Sequence, residues 1–425
     1  MSDHGSPMPV PGARVVVIGQ GYVGLPLSVR ATLAGFDVIG FEVDPAKIAA
    51  LESQTSYVED ISDEELQQVH ATGRFRATND PGQLKGFDYA VIAVPTPLRE
   101  SLPDLSFIEE AGELVGQHLT AGSTVILEST TYPGTTDQLL RSILEVASGL
   151  TVSDFYLGYS PERIDPGNLV YHLGNTPKIV AGIDAASLQR VEAFYAALVD
   201  TVIPVSTTGA AELAKLLENT FRHVNIALVN EMAIFAHDLG IDIWEAIGAA
   251  STKPFGFMPF YPGPGVGGHC LPVDPSYLSW QVRRRLGHNF RFVELANDVN
   301  EHMPDYVVQR LAEGLNLRRM PINGTRVVLI GLTYKKNTSD ARESPALRVA
   351  RLLHERGAVV MCVDPHVLAR DVPDFVEVMS LDDLRSEDAV IILTDHDAIS
   401  YDVLESHPGH VLDTRRRLHG SADVL

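Results

Sequence analysis

The sequence predicts an α/β protein with two doubly wound parallel-sheet domains that are joined by a long central helix. Residues 13–45 and residues 325–365 each read as an apolar strand, a turn, a helix and a second strand. Such alternation favours a parallel sheet with helices on its faces. Residues 206–250 instead keep a helical apolar period over about thirty residues, which is typical of a connecting or dimer-forming helix.

The bulk composition indicates a globular protein of more than one domain. The chain has 425 residues, with 45% hydrophobic and 21% charged side chains, and this length exceeds one ordinary core. Its two cysteines cannot form a disulfide framework, which fits a reducing cytoplasm. No apolar run reaches the ~18 residues of a membrane span. Residues 1–12 contain no apolar signal segment and are expected to be a disordered lead.

The net charge of −22 narrows the expected partners. It argues against a surface that binds nucleic acid or an anionic membrane. An anionic ligand would therefore need positive charge supplied locally, by Lys, Arg or helix N-termini.

The first strand–turn–helix unit carries the glycine spacing of a Rossmann dinucleotide turn, G-x-G-x-x-G. The glycines allow a tight turn and a close approach of the backbone to a pyrophosphate at the helix N-terminus. A Rossmann-like domain that binds no dinucleotide is the alternative. The residues of the motif are Gly19, Gly21, Tyr22, Val23 and Gly24.

An acid follows the second strand of this unit. Glu42 lies about twenty residues after the glycine motif, where an acid can bind a ribose 2′-hydroxyl. An acid there also repels a 2′-phosphate, so we expect NAD rather than NADP. Lys47 could counter that preference, or lie on the adenosine phosphate or in solvent.

Polar residues follow two further predicted strands, within residues 88–97 and 123–134. They are Thr96 in "VPTP" and Ser129 and Thr130 in "ESTTYPG". Ligands of doubly wound sheets lie at the carboxyl ends of the strands, which makes these residues candidate contacts. A plain turn or cap role is the alternative for each of them.

A glycine- and proline-rich stretch, residues 261–275, holds Cys270 outside any periodic segment. Its glycines, Gly267 and Gly268, let backbone N–H groups face an anion or a carbonyl oxygen. A nucleophile on a loop and a cysteine without chemistry both remain open. The adjacent His269 raises metal binding as a rival, but no second Cys/His pair occurs at ligand spacing. Cys362, within the apolar run "AVVMCVDP", is predicted to be a core residue.

The motifs, taken in order, resemble those of the nucleotide-sugar 6-dehydrogenases, the UDP-glucose/GDP-mannose dehydrogenase family. The resemblance covers about residues 13–420 and rests on GQGYVGLP, VPTP, ESTTYPGTT, YSPERIDPGN, AELAKLLENTFRHVNIALVNE, GVGGHC and GLTYKKNTSDARESP. It implies an NAD-binding Rossmann domain over residues 13–205 and a central helical dimerisation domain over residues 206–315. A UDP-sugar-binding Rossmann-like domain would follow over residues 316–425.

The resemblance also implies a chemistry for Cys270. This family oxidises C6 of a sugar nucleotide to a carboxylate with two NAD⁺. A thiolate would trap the intermediate aldehyde as a thiohemiacetal, which loses a second hydride to give a thioester that water hydrolyses. An alcohol dehydrogenase that released the aldehyde would not need the sulfur.

Five further residues would share this chemistry by matching position. Lys215 and Asn219, one helical turn apart, would bind or protonate oxygens on C6 and stabilise the oxyanion. Asp274 would orient or activate water, Thr130 would help to hold it, and Glu162 would act as acid or base in hydrolysis. Without the resemblance, Lys215 would be expected on a solvated helix face and Glu162 in a surface salt bridge.

The same positional matching implies binding residues in both domains. A surface ion pair is the plain alternative for each arginine among them. The implied NAD contacts, beyond the glycine motif, are Glu42, Lys47, Thr96, Ser129, Thr130 and Arg342. The implied substrate contacts are Glu162, Arg163, Lys215, Asn219, Phe260, Tyr261, Gly267, Lys335 and Arg415.

Three positions depart from the UDP-glucose pattern: Tyr261, His269 and Val273. They resemble the branch that acts on UDP-N-acetyl sugars, above all UDP-N-acetylglucosamine. UDP-glucose and UDP-N-acetylmannosamine dehydrogenases are the alternatives. A non-catalytic nucleotide-sugar binder would be expected to have lost one of the catalytic residues. A simple β-hydroxyacid dehydrogenase would lack the cysteine stretch and the second Rossmann-like unit.

Overall fold

The computed structural model describes residues 12–99, 102–165, 168, 170–268, 270–420 and 422–425. The chain forms two compact units, Met1–Glu218 and Asn219–Leu425. The predicted disordered lead lies outside the described residues up to residue 11. Among the residues described, no helix combines the length and the apolar character that crossing a bilayer requires.

The first unit is built on one large sheet with a small hairpin beside it. Its helices are α1 Gly24–Leu33, α2 Pro45–Glu52, α3 Asp63–Ala71, α4 Ser106–Gly116, α5 Arg141–Ser148 and α6 Ala185–Ala196. Its strands are β1 Arg14–Ile18, β2 Asp37–Phe41, β3 Phe75–Thr78, β4 Tyr89–Ile92, β5 Leu98–Arg99, β6 Leu102–Pro103, β7 Thr124–Leu127, β8 Tyr156–Tyr159, β9 Lys178–Gly182 and β10 Val202–Pro204.

The large sheet has the order β10-β9-β8-β7-β4-β1-β2-β3. Side chains of β1 alternate between two apolar cores, with Val15 and Val17 in one and Val16 and Ile18 in the other. That alternation places a core on each face of the sheet, as a doubly wound fold requires. Chain order reverses between β1 and β4, which opens a ligand crevice at the carboxyl ends of these strands.

One pair of this sheet departs from the predicted parallel arrangement, because β8 and β9 run antiparallel. A parallel return needs a crossover connection, usually a helix. The described residues between β8 and β9 contain no helix. The chain therefore returns beside β8 in the opposite direction.

The predicted long helix is confirmed as α7, Thr208–Asp238, which begins in the first unit and ends in the second. Its first turn is anchored by Glu212. That buried carboxylate accepts hydrogen bonds from Gly134 N–H (2.7 Å), Thr136 N–H (2.9 Å) and Thr136 Oγ1 (2.7 Å). The anchor fixes the start of α7 to the turn after β7.

The second unit repeats the doubly wound plan. Its sheet has the order β13-β12-β11-β14-β15-β16, with every pair parallel, which matches β3-β2-β1-β4 of the first unit and confirms the predicted pseudo-repeat. Its helices are α8 Ile243–Ser251, α9 Cys270–Leu286, α10 Arg291–Leu317, α11 Pro345–Glu355 and α12 Asp402–Glu405. Its strands are β11 Arg326–Ile330, β12 Val359–Val363, β13 Glu377–Val378, β14 Ala389–Ile392, β15 Val411–Asp413 and β16 Asp423–Val424. Cys362 lies in β12 with no exposed surface, so its prediction as a core residue is confirmed.

Candidate active site

The glycine turn after β1 has the geometry that its sequence predicts. Gly19 has a φ of +90°, and a Cβ there would lie 2.7 Å from the Ala93 carbonyl oxygen. A Cβ on Gly24 would lie 1.8 Å from the Gly19 oxygen, so that the first turn of α1 packs directly on the strand end. A Cβ on Gly21 would meet nothing within 4 Å. Backbone is therefore open to a ligand at Gly21, a cradle that fits a dinucleotide pyrophosphate.

Glu42 is nearly buried at the end of β2, beside this turn. Its carboxylate accepts hydrogen bonds from Gln20 N–H (3.1 Å) and Val43 N–H (2.9 Å). Lys47 Nζ lies 3.3 Å from Glu42 Oε2, so Lys47 is an ion-pair partner rather than a freely solvated side chain. Burial and the Glu42 charge raise the pKa of Tyr57, whose hydroxyl donates to the Gln20 oxygen at 2.7 Å.

The other predicted dinucleotide contacts of the first unit surround the same strand ends. Thr96 and Ser129 are buried, and Ser129 Oγ donates to the Val94 oxygen at 2.8 Å. That bond fits the turn role, since the hydroxyl proton of Ser129 is used locally. Tyr22, Val23 and Thr130 are half-buried.

Glu162 follows β8 and is 9% exposed, so its expectation as part of a surface salt bridge is wrong. Its Oε1 accepts Arg163 N–H and Ile164 N–H, both at 2.6 Å, and its Oε2 lies 3.1 Å from Lys178 Nζ. Burial acts to raise the pKa of Glu162, but the Lys178 ammonium and the backbone donors outweigh it. The pKa therefore lies below its usual value and the group is a carboxylate.

Lys215 lies on α7 with only 8% of its surface exposed. The expectation of a solvated helix face is therefore wrong, because apolar periodicity alone does not show which polar positions of a helix are covered. Its positive charge also favours the ionised form of Glu162. Arg163 forms an ion pair with Glu218 (2.7 Å) and donates to the Pro177 oxygen (2.6 Å).

In the second unit, Cys270 is the first residue of α9 rather than part of a loop. The sequence Cys-Leu-Pro-Val-Asp-Pro misled the prediction, because proline usually interrupts helices. Pro272 lies in the first turn, where proline removes only an N–H that has no helical partner, and Pro275 lies inside α9. The chain thus turns from the glycine stretch into a helix at the cysteine itself.

Asn219 and Asp274 are brought together in this unit. Asn219 Nδ2 donates to Asp274 Oδ2 at 2.5 Å, and both side chains are buried. Asp274 lies one helical turn after Cys270 on α9. Val273, the residue before it, is 6% exposed and part of the core. His269 lies outside the described residues.

The glycine stretch packs against the connection between β11 and α11. A Cβ on Gly267 would lie 2.7 Å from the Glu343 oxygen and 2.8 Å from Tyr334 Cβ. Gly268 has a φ of +78° and donates its N–H to the Arg342 oxygen at 3.0 Å. Only glycine fits here, since any side chain would push the stretch off its neighbour.

The predicted basic contacts of the second unit have mixed surroundings. Arg342 is exposed and paired with Asp340 at 2.6 Å. Arg415 donates through Nε to the Leu393 oxygen at 2.7 Å, and a Cβ on Gly263 would lie 2.7 Å from its Nη1. Lys335 is half-buried.

Two aromatic residues follow α8. Phe260 packs edge-on against Phe221 with ring centroids 5.7 Å apart. Tyr261 stacks on Trp244 at 5.5 Å and is 51% exposed. Trp244 in turn donates to the Leu425 oxygen at 3.0 Å, so the stack is tied to the C-terminus.

Sequence reasoning missed the charged residues behind Glu162. Lys178 opens the buried strand β9 and Glu128 follows the buried strand β7. The available signal was a charged residue beside an apolar strand run, in "PKIVAG" and "VILEST". Within the described part of the chain, no three His, Cys, Asp or Glu side chains are grouped to hold a metal ion.

Comparison with known proteins yields three consecutive matches to models of the UDP-glucose/GDP-mannose dehydrogenase family. The NAD binding domain matches residues 13–199, the central domain residues 209–302, and the UDP binding domain residues 328–420. The chain is 36% identical over 385 residues to UDP-N-acetyl-D-mannosamine dehydrogenase of Pyrococcus horikoshii, covering 90% of this chain and 89% of that protein.

Two further similarities have the same extent. The chain is 37% identical over 361 residues to UDP-N-acetyl-D-glucosamine 6-dehydrogenase of Pseudomonas aeruginosa, covering 84% of each. The solved structure of UDP-D-ManNAc dehydrogenase from Pyrococcus horikoshii matches with a TM-score of 0.88 at 33% identity. That match covers 96% of this chain and 97% of the other.

Proposed function

This chain belongs to the UDP-glucose/GDP-mannose dehydrogenase family, and from that premise we propose that it oxidises C6 of UDP-N-acetylglucosamine to the carboxylate. The reaction proceeds in two NAD-dependent steps with Cys270 as the nucleophile. NAD, when bound, would supply the hydride acceptor. The glycine turn would hold its pyrophosphate, and Glu42 its ribose.

The observation that carries this proposal is the buried hydrogen bond between Asn219 and Asp274. Asp274 lies one helical turn after Cys270, the residue that starts α9, and the bond joins the Asn219 amide to the Asp274 carboxylate. A thiol at a helix N-terminus is favoured as the thiolate. An enzyme that released an aldehyde would need neither the thiolate nor a carboxylate that positions hydrolytic water.

Each polar residue of the proposed site has a separate role in the reaction. Lys215 and Asn219 hydrogen-bond the C6 oxygen and stabilise negative charge that develops on it. Cys270 adds to the aldehyde and retains the carbon as a thiohemiacetal and then a thioester. Glu162, held as a carboxylate, accepts the proton of the water that hydrolyses the thioester, and Asp274 and Thr130 position that water.

The proposed substrate is supported by Tyr261 and Val273, the two described positions where the chain departs from the UDP-glucose pattern. The Pseudomonas aeruginosa relative is named for UDP-N-acetyl-D-glucosamine. UDP-N-acetylmannosamine is the second candidate, because the Pyrococcus horikoshii relative matches over nearly the whole chain. Lys335, Arg342, Arg415 and Arg163 supply the positive charge that an anionic substrate and cofactor need in an acidic protein.

A homodimer is part of the same proposal. Within the second unit, α7 exposes an apolar stripe whose members keep 48–56% of their surface open to solvent. The stripe consists of Phe221, Leu228, Met232 and Phe235. A second copy would cover this face, since an exposed stripe of this kind is costly in water. Light scattering on the wild type and on Phe235→Glu tests it, and a monomeric wild type would contradict it.

The central experiment measures NADH release from a panel of UDP-N-acetylglucosamine, UDP-N-acetylmannosamine, UDP-glucose and their galacto epimers. We expect two NADH per sugar, with the highest kcat/KM for UDP-N-acetylglucosamine. Cys270→Ala should abolish carboxylate formation, while Cys362→Ala, the matched control in the core, should retain it. A ratio of one NADH, or normal carboxylate production by Cys270→Ala, would overturn the covalent mechanism.

A further inference from the structure

A buried charged cluster lies behind Glu162 in the first unit. Lys178 Nζ is 2.7 Å from Glu128 Oε1 and 3.1 Å from Glu162 Oε2, and its side chain is only 2% exposed. Tyr195 OH donates to the same Glu128 oxygen at 2.7 Å. Lys178 thus bridges a fully buried carboxylate and one that the proposed reaction uses.

The pKa values of the two carboxylates in the cluster are shifted in opposite directions. Burial raises the pKa of Glu128 despite Lys178. Burial also acts to raise the pKa of Glu162, but Lys178 and the Ile164 N–H outweigh it and hold that pKa below its usual value. Burial alone would lower the pKa of Lys178, but the two carboxylates outweigh it and raise it. Lys178 is therefore an ammonium, and Glu162 is the carboxylate that stays ionised.

The charged and titratable groups that act on Glu162 in the described part of the first unit form one arrangement. They come from four parts of the first unit besides its own segment: the end of β7, the start of β9, helix α6 and helix α7. In that order they are Glu128, Lys178, Tyr195 and Lys215, with Arg163 beside Glu162 in sequence. Lys178 is the one cation among them within hydrogen-bond distance of the Glu162 carboxylate in the residues described.

We propose that Lys178 is a positioning residue for the reaction: anchored from behind by Glu128 and Tyr195, its ammonium fixes the carboxylate of Glu162 as a proton acceptor. The inference rests on the proposed function, because it assigns Glu162 to the hydrolytic water. Lys178 pins Oε2 while the backbone pins Oε1, so the carboxylate has one orientation. Glu128 supplies the second negative charge that keeps a buried ammonium in place.

A pair of variants separates this role from a structural one. Lys178→Met with Glu128→Gln replaces the inner ion pair by neutral side chains of similar size, which leaves the net charge unchanged and is often tolerated. Glu128→Gln alone keeps the ammonium and removes the anion that competes for it. The two variants therefore differ, as regards charge, in the presence of the Lys178 ammonium beside Glu162.

The readout is the pH profile of kcat for carboxylate formation. The acid limb is the low-pH side of this profile, where kcat falls as Glu162 is protonated. In Lys178→Met/Glu128→Gln its midpoint should move up by about one to three pH units, the shift expected when an adjacent opposite charge is lost. A burst of NADH should precede the slowed hydrolysis. In Glu128→Gln the acid limb should stay or move lower. Equal acid limbs in both variants, with kcat reduced evenly at all pH values, would overturn the proposal and leave the cluster structural.

Infrared difference spectra test the same point without activity. On acidification from pH 8 to pH 5, Lys178→Met/Glu128→Gln should gain a protonated buried carboxyl band that Glu128→Gln lacks. The band should vanish when Glu162→Gln is added. Its absence from the double variant would overturn the role of Lys178. A wild type that makes no NADH from any nucleotide sugar would overturn the proposed function instead, and the two failures are thus distinguishable.

Discussion

The acid that follows the second strand is used differently in the two units. In the first unit Glu42 keeps 7% of its side chain exposed and accepts Gln20 N–H at 3.1 Å. In the second unit Asp364 follows β12, is fully buried, and accepts Leu332 N–H (2.7 Å) and Thr333 N–H (3.1 Å). Each acid therefore holds the turn after the first strand of its own sheet.

The two acids differ in the other hydrogen-bond donors that contact the carboxylate. Asp364 also accepts His366 N–H, Val367 N–H and the ring of His396 through Nε2. A carboxylate offers about four lone-pair sites, so these five donors, four backbone N–H groups and the buried His396 ring, leave no site for a ligand hydroxyl. Burial alone would raise the pKa of Asp364, but the His396 bond and the backbone donors outweigh it and hold that pKa well below its usual value.

Glu42 keeps one exchangeable partner. Its longest contact is with Lys47 Nζ at 3.3 Å, and the Lys47 side chain is 37% exposed. A ribose hydroxyl can replace that ammonium without leaving a buried group unpaired. We therefore expect a strand-end acid to be open to a ligand when one of its donors is an exposed side chain such as Lys47. It should only brace the backbone when its donors are backbone N–H groups and a buried ring.

The connections from the first strand to the following helix also differ in length between the two units. Residues 19–23 join β1 to α1 directly, whereas residues 331–344 separate β11 from α11. The second unit therefore lacks the short cradle at a helix N-terminus. Its predicted ligand contacts, Lys335 and Arg342, lie on this longer connection.

The largest effect is expected for Asp364→Ala. Removing a fully buried carboxylate that is paired on both oxygens should lower the free energy of unfolding of the second unit by about 3–5 kcal/mol. NAD affinity of folded protein should be unchanged, because the acid serves no dinucleotide. Thermal unfolding and NAD titration measure the two effects, with the exposed Asp374→Ala as the matched control. A loss of NAD affinity without a loss of stability would contradict the structural role of Asp364.

The pH dependence of stability should separate the same two acids. The pKa of Asp364 is depressed in the folded state, so its contribution is complete above its unfolded pKa of about 4 and is lost as the pH falls toward its folded value. The thermal midpoint of the wild type should therefore fall with acid below about pH 4. Asp364→Asn should flatten that part of the curve, and an unchanged acid slope in this variant would count against the brace.

A smaller effect, on binding rather than stability, is expected for Glu42→Ala. Loss of a charged acceptor for the ribose should weaken NAD binding by about 1.5–3 kcal/mol, or roughly 10- to 100-fold in Kd. Glu52→Ala, an exposed acid on α2, is the control. Isothermal titration of NAD measures it, and equal Kd values for Glu42→Ala and wild type would mean that both acids are braces.

The smallest effect is expected for Lys47→Ala. Its ion pair with Glu42 is partly exposed, so the free energy of unfolding should change by less than about 1 kcal/mol. NAD affinity should be retained or improved, since the ammonium competes for the ribose acceptor. A marked loss of NAD affinity would instead place Lys47 on the cofactor.

The elements of this fold could be predicted because their signals are local. Glycine spacing at Gly19, Gly21 and Gly24 and the thirty-residue period of α7 each depend on a short stretch of chain. The antiparallel β8–β9 pair was not predicted, because strand direction depends on the connection between the two strands. No motif marks that the described residues of this connection form no helix. The helical start at Cys270 was missed because prolines favour a loop, whereas here Pro272 lies in the first turn of α9 and Pro275 inside the helix.

The identity of the candidate site residues could be predicted from the sequence, but their burial and charged neighbours could not. Resemblance supplied Glu162 and Lys215, while reasoning from isolated residues placed both on the surface. The buried charge of Glu162 is compensated by Lys178, which Glu128 pairs in turn. Lys178 and Glu128 come from distant strands and carry no motif of their own. Such charge compensation is a property of packing, and a single sequence does not display it.

The burial of Cys362 has a practical consequence for the whole chain. Burial and the neighbouring Asp364 raise the pKa of its thiol to about 12, and its side chain has no exposed surface. With two cysteines in the sequence, an alkylating reagent at neutral pH has a single thiol left to modify in the folded protein. Label taken up by the folded chain would then report on Cys270, the residue to which the proposed function assigns the nucleophile. A fluorescent or spin label could then be directed to Cys270 without introducing another cysteine.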